Sequence, residues 1–68
     1  MEDTRVVDVL FHNKGSIIMV EPVTDKAKTW VDANVAGEPE WFGPRFACEH
    51  RAARTLADGM IAAGLTCA

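Results

Sequence analysis

The sequence predicts a small α+β domain, a three- or four-stranded sheet with two helices, in the order β-β-α-β-α with a short strand at the end as an option. Three observations carry this. Two runs rich in β-branched residues, Arg5–Phe11 and Ser16–Val23, flank His12-Asn13-Lys14-Gly15, a turn-forming interruption. Two later stretches repeat apolar residues at helical spacing. Prolines and glycines punctuate the chain between these stretches, at Pro22, Gly37, Pro39, Gly43 and Pro44.

In the first run Val7, Val9 and Phe11 alternate onto one face, with Asp8 and His12 on the other. Gly15 supplies the left-handed conformation of a tight turn. In the second run Ile17 and Met19 oppose Ile18 and Val20, so both faces are apolar. That pattern predicts an interior strand covered on part of both sides, ended by Pro22. Thr24 then has the character of an N-cap, with Asp25 in the first helical turn. The helix that follows presents Ala27, Trp30, Val31 and Val35 on one stripe, and Gly37 and Pro39 stop it. Residues 38–44, EPEWFGP, read as a connection. Arg45–His50 reads as the third strand, with Phe46 and Cys48 on one face and Ala47 and Glu49 on the other. The second helix places Ala53, Leu56, Ala57, Met60, Ile61 and Gly64 on its stripe, and Gly59 suggests close packing against another backbone. Gly64-Leu65 has the form of a C-terminal cap with its apolar contact. Strand two, helix one and strand three make a crossover unit of right-handed sense, with both helices expected on one face of the sheet.

A 68-residue chain forms one domain, and its core supplies only a small surplus over conformational entropy. Self-pairing into a dimer is therefore an expectation. With 49% hydrophobic residues the chain is too apolar for disorder. Net charge −3 argues against general nucleic-acid binding, which needs a basic footprint. The charge is uneven, however: residues 1–44 hold eight acids and four bases, while 45–68 hold three arginines against Glu49 and Asp58. A nucleic-acid-binding regulator, dimeric and using the Arg45, Arg51 and Arg54 face, is thus the alternative function. No segment approaches the roughly 20 apolar residues of a membrane span. The acidic start lacks signal-peptide organisation, which points to the cytoplasm and to reduced Cys48 and Cys67.

Cys48-Glu49-His50 is the stretch with the most apparent chemistry. A Cys–His pair can generate a thiolate nucleophile, but that needs the imidazole in reach and an oxyanion-binding donor pair. The simpler reading makes Cys48 a small core residue and Glu49-His50 a strand-to-helix junction whose carboxylate favours the helix N-terminus. His12, Cys48, His50 and Cys67 count to four zinc ligands without any ligand-pair spacing. The expectation is a protein without catalytic residues, metal or cofactor.

Trp41 and Phe42 lie in the Gly/Pro-framed connection behind Glu38 and Glu40. In a core this small the rings plug the interior on the plain reading. On the functional reading they anchor a partner, since tryptophan is enriched among binding hot spots. Glu38, Glu40, Glu2 and Asp3 would add an acidic surface, and Arg45, Arg51 and Arg54 a charged rim.

The stretches VEPVTDKAKTWVDANV, WFG, CEHR and LADGMIAAGL, together Ser16 to Leu65, resemble a group of short proteobacterial and phage or prophage proteins. These share a Trp-x-Gly loop, a Glu-His-Arg strand end and a Gly-Met…Gly-Leu helix. No functional residue carries over from that group. The resemblance implies the context of small accessory proteins of mobile elements, among them inhibitors of anti-CRISPR and anti-restriction type. The expected function is a non-enzymatic binding protein that blocks a host protein or protein complex, with a housekeeping interaction module as a further alternative.

Overall fold

The computed structural model describes residues 7–35, 37 and 39–68. They form a four-stranded antiparallel sheet and two helices: β1 (Val9–Asn13), β2 (Ile18–Pro22), α1 (Asp25–Asn34), β3 (Trp41–Phe42), β4 (Arg45–Cys48) and α2 (His50–Ala62). The strand order is β1-β2-β4-β3. Read as two β-β-α units, the chain puts the second strand of each at the centre, running antiparallel.

The α+β architecture matches the sequence expectation, with two differences. The fourth strand is β3, inside the stretch expected to be a connection. The C-terminal residues contribute instead an isolated parallel bridge from Cys67 to Val9, bordering β1. Further, β4 runs antiparallel to β2, so it does not complete a parallel crossover. The return from α1 lands on β3, which shares the direction of β2 with β4 between them. Gly43-Pro44 then reverses the chain: Gly43 takes φ 67° and Pro44 a fixed negative φ, the pattern of a two-residue hairpin turn with glycine first.

The first hairpin forms as its sequence suggests. Gly15 has φ 90°, and its N–H donates to the Asn13 side-chain oxygen at 2.9 Å, a local bond that favours the turn. Thr24 caps α1, its hydroxyl accepting from the Ala27 N–H at 3.2 Å. The same hydroxyl donates to Asp8 Oδ1 at 2.6 Å, while the Thr66 N–H donates to Asp8 Oδ2 at 2.8 Å. One carboxylate thus ties the entry to β1, the start of α1 and the C-terminal segment. These bonds favour its charged form and hold the Asp8 pKa below its ordinary value, the Thr24 bond contributing most. At the far end of α2, Gly64 (φ 90°) donates to Ile61 O, and Leu65, itself buried, donates to Met60 O. This is the double-bonded cap that a glycine followed by an apolar residue predicts.

Both helices cover one face. Val9, Val20 and Phe46 from the strands meet Ala27 and Val31 of α1, Met60 of α2 and Leu65 in a single core. The opposite face carries Leu10, His12, Met19, Glu21, Arg45 and Ala47, all half-buried. β2 is therefore central, as its apolar run predicts, but the described residues cover it on one side only. Ile61 is also corrected: it lies at the margin of the α2 stripe and is exposed. The close approach at Gly59 is to the Trp30 ring, 3.1 Å from where a Cβ would stand, and not to backbone.

Candidate functional site

β3 is an edge strand made of the two aromatics. Trp41 pairs with Phe46 and Phe42 with Arg45. Directly opposed residues in an antiparallel pair share a face, so Trp41 is on the helix side and Phe42 on the open side. The Trp41 ring meets the Phe46 ring edge-on, with centroids 5.0 Å apart, and 45% of its surface stays exposed. Phe42 is 52% exposed. The rings do not plug the core; that role belongs to Phe46, at 1% exposure.

The backbone of β3 has a definite polarity. Around a two-residue turn the closing pair, Phe42 and Arg45, is the hydrogen-bonded one, and the ladder alternates from there. The Ala47 N–H bond to Glu40 O at 3.3 Å fits this register. The Trp41 N–H and C=O therefore point away from the sheet, toward whatever lies beside β3. Such groups are a template for another strand.

The remaining candidate residues are dispersed. Arg45 lies on the open face, where its Nε donates to Glu21 Oε1 at 3.0 Å. His12 Nε2 stands 3.0 Å from the same oxygen. With His12 and Arg45 as donors, in that order of effect, the Glu21 carboxyl is held below its ordinary pKa. Arg51 and Arg54 are exposed on α2, in the helical layer, so the fold separates them from Arg45 and no three-arginine face forms. Glu40 is exposed beside β3. Glu38, with Glu2 and Asp3, lies outside the described residues. The His12–Glu21–Arg45 cluster is invisible to sequence reasoning, because it depends on cross-strand register across three strands.

The Cys48-Glu49-His50 toolkit comes apart in space. Cys48 packs against the core, and burial followed by the Glu49 charge pushes its thiol pKa up, opposite to what a nucleophile requires. His50 opens α2, and its Nε2–H donates to Gly15 O at 2.6 Å, pinning the first turn. Glu49 takes the N-cap position, but its side chain makes no cap bond. Burial, then the Asp8 charge, raises Cys67 as well. Cys67 borders β1 and Cys48 borders β2 from the other side. Three strand spacings, about 14 Å, therefore separate two thiols that a disulfide would need within about 7 Å between Cα atoms. Among the described residues no group of three His, Cys, Asp or Glu side chains gathers to hold a metal.

On the helix side a groove of about 480 Å³ runs between the end of α1 and the start of α2. Val35, Pro39, Phe46, Cys48 and Leu56 line it, and Arg51 stands at its rim. Trp41 meets one of these lining residues, Phe46, edge-on from the β3 side. No helix among the described residues is long and apolar enough to cross a membrane. Comparison of the chain with protein-family models, with curated proteins and with solved structures finds no match.

Proposed function

We propose that this is a small non-enzymatic binding protein that docks on a host protein complex through the β3–β4 hairpin and blocks or modulates it, in the manner of a mobile-element inhibitor of anti-CRISPR or anti-restriction type. The observation that supports the reading is the pair of adjacent aromatics, each about half exposed, on a sheet edge that has a buried phenylalanine available for its core. Large exposed rings on a rigid element bind at low entropic cost, and such residues dominate interface energetics. Glu40 and Arg45 flank them and would supply orientation, with Arg45 held in place by Glu21. Arg51 belongs to the groove rim, whereas Arg54 lines a separate hollow with Phe11 and Ile18.

The test is affinity capture from a host lysate with the native chain and with the Trp41→Ala, Phe42→Ala double variant. The reading expects a partner recovered by the native chain and lost with the variant, provided circular dichroism shows the variant folded. Equal recovery of the same partner by both rejects the aromatic edge as the binding surface.

A further inference from the structure

Resting on that reading, we propose that the edge of β3 binds by strand addition, taking up an extended, basic segment of its partner as a new strand of the sheet. Three features of one place converge on this mode. The Trp41 N–H and C=O point outward, where an added strand would satisfy both. Trp41 and Phe42 flank that edge on opposite faces, matching the alternating side chains of an extended segment. An apolar groove lined by Val35, Pro39, Phe46 and Leu56 opens on the helix side, and Phe46, whose ring Trp41 meets edge-on, links it to the edge as a pocket for an apolar side chain. Main-chain bonds then supply affinity and the pocket selects the sequence. The opposite edge is closed, because Ala68 donates to Val9 O while Val9 and Phe11 donate to Thr66 O and Ala68 O.

Charge chooses the occupant. Glu40 is exposed on the Phe42 side of the edge, and the neighbouring Arg45 is already engaged by Glu21, so Glu40 favours lysine or arginine in the segment. A second copy fits less well. It would bring another Glu40 and a strand that turns away at Gly43 after two residues.

The full chain can be assembled from segments 1–47 and 48–68, joined at Cys48, with an N-methyl group on the Trp41 amide. Methylation removes the outward donor and leaves both side chains intact. The probe is a random ten-residue peptide library selected on the native chain. Enriched peptides are expected to alternate apolar and basic residues and to protect the Trp41 amide from hydrogen exchange. They should bind the N-methylated chain about tenfold more weakly, the effect of one hydrogen bond left unmade. If the methylated chain does not fold, protection of the Trp41 amide in the native complex decides. Enriched peptides that bind both chains equally, leave the Trp41 amide unprotected, or fail to emerge at all overturn strand addition. Lysate capture that depends on Trp41 and Phe42 but ignores methylation sinks this inference alone, whereas capture that ignores both rings sinks the reading beneath it.

Discussion

Phe42 and Phe46 stand on the two strands of one hairpin and should behave as opposites when truncated to alanine. Phe46 is 1% exposed and belongs to the core that both helices cover, while Phe42 is 52% exposed. A phenylalanine buries roughly 200 Å² when fully enclosed. At about 25 cal/mol per Å² this is about 5 kcal/mol for Phe46 and half as much for Phe42. Both are upper bounds, since the unfolded chain already hides part of this surface. Phe46→Ala also leaves a cavity in the core beside its cross-strand partner Val20, so its cost should fall within the 3–5 kcal/mol usual for such truncations. Phe42→Ala opens no cavity and should cost about 2 kcal/mol at most. A domain of this size has a total stability of roughly 3–10 kcal/mol. Phe46→Ala should therefore leave a marginal or unfolded chain, and Phe42→Ala a folded one. Urea denaturation followed by circular dichroism measures both through the midpoint, with an unchanged slope. Equal losses from the two substitutions would refute the assignment of one ring to the core and the other to the surface.

Three other consequences are as direct. Thr24→Val, which removes the α1 cap and a bond to Asp8, should cost about 1 kcal/mol and is read by thermal melting. The depressed pKa values of Asp8 and Glu21 mean that the unfolded chain binds their protons first as pH falls. Their stabilisation is complete above the unfolded values and is lost downward through the folded ones, so stability should drop below about pH 4.5. Asp8→Asn and Glu21→Gln should each flatten that drop, and an unchanged pH profile would contradict both networks. At Gly59, alanine gains helix propensity of up to about 1 kcal/mol but must displace the Trp30 ring slightly, so Gly59→Ala should be near neutral. Gly59→Leu should destabilise clearly, and a melting series over the three residues checks it.

Local chemistry is what the sequence made legible. Asn13 and Gly15, Thr24, and Gly64 with Leu65 each act through bonds to residues within five positions, so their roles could be read before any fold was known. β3 escaped because two residues are too few to show alternation. Its signature was the Gly43-Pro44 pair, a hairpin turn between Trp41-Phe42 and Arg45-Phe46. That turn also explains why the crossover expected from β2 arrives one strand further out. Asp8 escaped for the opposite reason. Its partners Thr24 and Thr66 are 16 and 58 residues away, and only the completed sheet brings them to one carboxylate. Helical spacing shows the direction of a stripe but not its width, and Ile61 fell just outside what the sheet covers. The apparent catalytic cluster failed on a point of chain geometry: the strand ends at Cys48, and the turn into α2 carries His50 toward Gly15.

The central claim is that the β3 edge is the centre of the surface that meets the partner. Amide hydrogen exchange of the labelled chain, free and bound to the captured host protein, tests it at every residue. Protection on binding should concentrate on Glu40 to Arg45 and be strongest at the Trp41 amide. Protection centred on Arg51 and Arg54 of α2, with the hairpin unchanged, would contradict it.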